Sequence, residues 1–218
     1  MFWVKYMKIR KSLLLFLFTF LAYGVNKQKS INNDLVEINR VNSSIILDIR
    51  YATTNNFTGK KIYPQAKCFL RRGTTKKINR VQKELEALGL GLKIFDGYRP
   101  LSAQFKLYEA FPNEKYVANP YKKNFKGSKH NRGCAVDCTL VDLKTGKELK
   151  MPSEFDEFSK KAHLDYKNMD KESAKNCRLL GYVMEKNGFR RIYSEWWHFN
   201  DTDWENYPIL DILFSEIK

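Results

Sequence analysis

Two short strings, SKHNRGCAVD at residues 128–137 and EWWHF at residues 195–199, hold two of the chain's three histidines together with Asp137 and Glu195. Imidazole and carboxylate both suit a zinc ion that takes three protein ligands and keeps a fourth position for water. His130, Asp137 and His198 meet that requirement. They come from distant parts of the chain, which must fold so that the three groups share one ion.

His130 and Asp137 are seven residues apart with Gly133 between them, so a turn feeding a strand fits better than adjacent turns of one helix. Alternation along that strand puts Ala135, Asp137 and Thr139 on one face and Cys134, Val136 and Cys138 on the other. Asp137 then faces the metal, and the two cysteines turn away from it. Glu195 and His198 share one side of a helix but opposite faces of a regular strand, while Trp196, Trp197 and Phe199 favour a strand. A bulge or a strand start near Glu195 is therefore expected, re-aiming its carboxylate. The third histidine, His163 in KKAHLD, has no comparable setting and reads as solvated or structural.

At the N-terminus Lys5, Lys8, Arg10 and Lys11 precede the apolar run LLLFLFTFLAYG at residues 13–24. A basic start, about a dozen apolar residues and the small Ala22 and Gly24 predict a secretory signal over residues 1–24. The run is shorter than the about 20 residues of a transmembrane helix, so an uncleaved anchor is the second reading. Met7 opens a tidier signal and is an alternative start. Residues 25–34 read as a flexible lead-in and residues 35–218 as one domain without repeats. Export to the periplasm or cell envelope would allow Cys68, Cys134, Cys138 and Cys177 to form two disulfides in any of three pairings, with buried thiols as the other reading.

The formal charge is +15, and +11 without the four basic residues of the signal. Such a surplus suits association with an anionic cell wall or membrane surface. Nucleic acid is excluded as a partner, because the lysines are scattered, no nucleic-acid motif is present and secretion would separate the two.

Alternation of Ile45, Leu47 and Ile49 predicts a strand that delivers Tyr51 to its end. Ile78, Val81, Leu85 and Leu88 make a helical stripe stopped by Gly89 and Gly91. Residues 92–95 then read as a strand, residues 102–111 as a helix, and residues 113–126 as a polar loop over one side of the site. A strand at residues 135–141 turns at residues 144–147, residues 173–186 form a helix closed by Asn187 and Gly188, and residues 192–199 form the last strand. The expected fold is α+β: a small antiparallel central sheet flanked by helices, with the zinc site at the sheet.

SKHNRGCAVD resembles the S-x-H-x-x-G-x-A-x-D zinc motif of bacterial cell-wall peptidases that cleave next to D-alanine, and EWWHF resembles their E-x-x-H string. RYATTNNFTGK at residues 50–60, FDGYRP at residues 95–100 and FDEF at residues 155–158 resemble further strings of the VanX-type D-alanyl-D-alanine dipeptidases. The resemblance implies a zinc dipeptidase domain over residues 35–218 that splits a small D,D-dipeptide. It implies one Zn2+ held by His130, Asp137 and His198, Glu195 as general base and then acid, and Arg99 polarising the scissile carbonyl. It further implies Asp156 as the partner of the substrate ammonium, with Tyr51 and Ser128 lining the substrate. Phe155 and Phe158 could exclude water around that ion pair. Two alternatives stand beside this reading: a zinc D,D-carboxypeptidase or endopeptidase on peptidoglycan stems, and a non-catalytic wall-binding module.

Overall fold

All residues from Ala135 to Val141 are buried. A strand covered on both faces belongs inside a sheet, and β5 (Ala135–Asp142) is the middle one of five strands. The computed structural model describes residues 34–217, of which those from Leu35 onward belong to one compact unit, Leu35–Lys218. Besides β5 the sheet contains β2 (Ile46–Leu47), β4 (Leu90–Asp96), β6 (Phe189–Ile192) and β7 (Glu195–Asp201), in the order β2-β4-β5-β7-β6. A separate antiparallel pair joins β1 (Leu35–Glu37) to β3 (Phe69–Arg71).

The helices are α1 (Ile38–Val41), α2 (Arg72–Glu86), α3 (Leu101–Ala110) and α4 (Lys171–Lys186). Ile78, Val81 and Leu85 of α2 and Leu180, Val183 and Met184 of α4 are buried at helical spacing. Burial of each such side chain favours folding by about 1.5–3 kcal/mol. The two helices pack against each other, α2 also on β4 and α4 also on β5 and β6. Asp170 caps α4, its Oδ1 accepting hydrogen bonds from the Glu172 and Ser173 amides at 3.1 Å each.

The architecture is α+β, as the patterning predicts, with four local differences. The sheet is mixed, because β2 runs parallel to β4 while every other neighbouring pair is antiparallel. The segment around β2 does not alternate: Ile45 and Ile49 are buried, Leu47 only half so, and Tyr51 sits on a 3-10 turn, Arg50–Ala52. Leu88 lies beyond the end of α2 and is 60% exposed, because Gly89 at φ +72 turns the chain before the stripe can continue. The single last strand is instead the hairpin β6–β7 with Tyr193 and Ser194 at its turn. Neither turn residue has a positive φ, so the turn carries none of the glycine or asparagine signals that mark most tight hairpins.

All four cysteines are free and buried, in line with the buried-thiol reading rather than the disulfides that export would allow. Burial raises the Cys134 thiol to about 12, with the Asp201 charge adding to it. The predicted signal and most of the lead-in lie outside the described residues. Among the described residues no helix is long and apolar enough to cross a membrane.

Candidate active site

Three strands place the site. A register shift between Ile94 and Asp96 sets Asp96 opposite Asp137, and Asp137 in turn pairs with His198. Asp96, Asp137 and His198 thus form one row across β4, β5 and β7. His130 joins them from a 3-10 turn, His130–Arg132, closed by Gly133 at φ +70. A Cβ on Gly133 would meet Leu35 Cδ2 at 2.8 Å and the Arg71 amide nitrogen at 3.3 Å. Both the φ and the crowding call for glycine there.

Donor atoms of the three predicted ligands converge. His198 Nδ1 lies 2.9 Å from Asp137 Oδ1 and 3.2 Å from His130 Nε2, and His130 Nε2 lies 3.4 Å from Asp137 Oδ2. Ligands about 2.0–2.1 Å from a tetrahedral zinc stand about 3.3 Å from one another, so these spacings fit such an ion. The remote ring nitrogens are also engaged, His130 Nδ1 2.7 Å from the Gly97 carbonyl and His198 Nε2 2.8 Å from Asn200 Oδ1. Donation of N–H to those oxygens leaves Nε2 of His130 and Nδ1 of His198 as lone-pair donors, the outer arrangement that metal-binding histidines use. No cysteine belongs to the group.

Glu195 is the first residue of β7. The β6–β7 register jumps there, from Arg191 opposite Phe199 to Ile192 opposite Glu195. This irregularity is the expected device: it turns Glu195 toward the same side as His198. Burial raises the Glu195 carboxyl, the Asp137 charge adds to the rise, and the neighbouring His198 opposes it.

Arg99 is almost fully enclosed. Its Nη2 and Nε donate to Asp96 Oδ2 at 2.6 and 3.2 Å, its Nη1 donates to Gln104 Oε1 at 3.0 Å, and its guanidinium lies 5.3 Å from the centre of the Tyr51 ring. Burial alone would lower its pKa, but Asp96 and the two tyrosines Tyr63 and Tyr51 outweigh it, and the charge is secure. Three of the five guanidinium N–H groups are thereby used, which leaves two for a ligand. The arginine loop is stitched to the histidine turn by Arg99 N donating to His130 O and Asn131 Nδ2 donating to Arg99 O, both at 3.0 Å.

Asp156 is the one non-glycine residue with positive φ among the described residues, at +60. The Tyr51 hydroxyl donates to its two oxygens at 3.1 and 3.3 Å. Burial, and then the Asp137 charge, raise the Asp156 carboxyl well above the usual range. Phe155 beside it stacks on Phe95 at 4.6 Å and meets Trp197 at 5.5 Å. Ser128 is half-buried, and its Oγ accepts from the His130 amide at 3.3 Å.

All eight predicted residues, Tyr51, Arg99, Ser128, His130, Asp137, Asp156, Glu195 and His198, line one cavity of about 250 Å³, and none of its lining comes from α2 or α4. Tyr116, Val117 and Ala118 supply part of its wall, so the polar loop does cover one side. His163 stays outside it, with its ring 4.9 Å from that of Tyr193.

Sequence reasoning missed Asp96, Asn200 and Gln104. Asp96 was visible inside FDGYRP, and Asn200 follows His198 by two, the spacing of one strand face. Gln104 reaches the site from α3 and carries no signal of its own.

The family described as D-ala-D-ala dipeptidase, peptidase M15, matches residues 31–214. This chain belongs to that family. The D-alanyl-D-alanine dipeptidase of Escherichia coli strain K12 is 35% identical over 182 residues, covering 84% of this chain and 92% of that one. The D-alanyl-D-alanine dipeptidase of Enterococcus faecalis strain V583 is 35% identical over 177 residues, covering 74% and 87%. Among solved structures, VanYB in complex with D-Alanine-D-Alanine aligns over 64% of this chain and 75% of its own, with 16% identity and a TM-score of 0.40. As a member of the M15 family the chain is a peptidase, and the family resemblance carried by its five strings is correct.

Proposed function

We propose that this protein is an exported zinc dipeptidase that hydrolyses D-alanyl-D-alanine to two D-alanines. The observation that carries the reading is the presence, in one small cavity, of a three-donor group able to hold a metal, a separate carboxylate beside it, a charged arginine, and a second carboxylate held by Tyr51. Relatives at 35% identity that bear the dipeptidase name support the substrate.

His130, Asp137 and His198 would hold the zinc. Bound there, zinc supplies an acidified water and a Lewis acid for the carbonyl. Glu195 accepts a proton from the attacking water and returns it to the departing amine nitrogen. The two remaining N–H groups of Arg99 face the carbonyl oxygen as it gains charge. Asp156 receives the substrate ammonium, whose charge offsets the cost of burying its carboxylate. Tyr51 holds that carboxylate in place, and Ser128 lines the other end of the dipeptide. A carboxypeptidase acting on longer stems has no use for an acid at the amino end, which is why Asp156 favours the dipeptidase.

The deciding experiment offers the purified protein D-Ala-D-Ala and its N-acetyl derivative side by side, with chiral analysis of the alanine released. Only the free dipeptide should be cleaved. Cleavage of both would select the carboxypeptidase reading, and cleavage of neither a binding module. Metal analysis should return one zinc per chain.

Export rests on the signal pattern at residues 1–24, and the surplus of basic residues suits work beside an anionic wall or membrane. N-terminal sequencing of the protein from the cell envelope should begin near Val25. A sequence that starts upstream of the apolar run in that fraction would select the anchored form.

A further inference from the structure

Two residues beyond Asp156, Phe158 belongs to a cluster of rings. Phe158 packs against Tyr116 at 4.5 Å, Phe57 at 5.0 Å and Phe111 at 5.7 Å, and Phe57 in turn meets Tyr51 at 6.0 Å. Phe57, Tyr116 and Phe158 line the cavity itself. These residues come from three loops that share no strand, and the ring contacts join the three. One polar contact closes the set: the Tyr116 hydroxyl donates to the Phe158 carbonyl at 2.9 Å. Its ring lies nearly parallel to that of Phe158, at 20°.

We infer that Tyr116 is a specificity-determining residue, the latch that fastens the loop of residues 113–126 to the Asp156 segment and shuts the amino side of the cavity. The inference rests on the dipeptidase reading and deepens it. A charge on Asp156 explains attraction of a free ammonium, but attraction alone rejects a blocked amine only by the missing ion pair. A wall adds steric rejection, and discrimination by repulsion against the wrong ligand is a separate device from contact with the right one. Stacked rings suit that role, since their packing resists being pushed apart by an acyl group.

The test compares wild type, Tyr116→Ala and Tyr116→Phe on D-Ala-D-Ala, N-acetyl-D-Ala-D-Ala and a tripeptide ending in D-Ala-D-Ala. Tyr116→Ala should raise the ratio of kcat/KM for the two longer ligands over the free dipeptide by about tenfold or more. Tyr116→Phe keeps the ring stack and loses only the bond to the Phe158 carbonyl, so it should shift the ratio in the same direction but less than Tyr116→Ala. Should Tyr116→Ala fail to fold, Tyr116→Leu, which removes less, should shift the ratio in the same direction. A folded Ala or Leu variant that discriminates as sharply as wild type overturns the latch alone. Efficient cleavage of the acetylated ligand by wild type overturns the closed amino side and the dipeptidase reading together.

Discussion

Glu195 Oε2 lies 3.8 Å from His198 Nδ1, although the two residues are three apart on one strand. Only the broken register of β7 allows this. Glu195→Ala should leave the metal content as in wild type while kcat falls by about 10²- to 10⁴-fold. Metal analysis and turnover on the same sample check both halves, and turnover equal to wild type would remove Glu195 from the mechanism.

Asp156 at φ +60 offers a clean separation of charge from backbone shape. Asparagine tolerates that left-handed conformation, whereas alanine is strained there by about 1–2 kcal/mol. Asp156→Asn should raise KM for D-Ala-D-Ala by about tenfold or more with the melting temperature unchanged, while Asp156→Ala should raise KM and also melt earlier. An unaltered KM in the Asn variant would show that the ammonium is held elsewhere.

Asn200 Oδ1 meets the His198 ring at Nε2, away from the Nδ1 that faces Asp137. Its removal should be felt at the metal, with zinc affinity lowered about 10- to 100-fold in Asn200→Ala, read by competition with a chelator. Affinity equal to wild type would mean that the ring orientation is set by packing alone.

The guanidinium of Arg99 spans two acceptors on different elements. A lysine presents its donors from one point and cannot bridge Asp96 and Gln104. Arg99→Lys should cost about 10²- to 10³-fold in kcat, and near-normal kcat would reassign carbonyl stabilisation.

Asp170 reports on the fold rather than the site. Bonds from the Ser173 hydroxyl, then from the Ser173 amide, lower its carboxyl to about 2 from an ordinary 3.8. A depressed folded pKa means a contribution to stability that is complete above the ordinary value and lost as pH falls through about 2. Asp170→Ala should melt earlier than wild type at neutral pH, and the gap should close between pH 4 and pH 2. Parallel melting curves across that range would deny the cap any electrostatic part.

Much of the site was legible because its chemistry is local in sequence. The candidate metal donors sit in two strings, and strand alternation puts Asp137 on the face it shares with the site without any knowledge of its partners. The presence of α2 and α4 was also readable, since apolar residues recur at helical spacing in both. The hairpin at Tyr193 and Ser194 was not legible, because its turn residues lack the usual chemistry and the aromatic run conceals the break. Nor was the parallel β2–β4 pair, which depends on a crossover whose ends carry no mark. Gln104 and Tyr116 reach the cavity from elements whose own patterns speak only of helix and loop.

Asp96 grips both sides of the cavity at once. One carboxylate oxygen takes Arg99, the other accepts from the Tyr63 hydroxyl at 2.8 Å, and His130 Nδ1 stands 3.7 Å away. The arginine proposed to handle the carbonyl and the histidine proposed to hold the ion therefore both stand against a single aspartate. Paired substitutions, one at each of the two, would then give losses that fail to sum, and the shortfall would measure how tightly this aspartate yokes them.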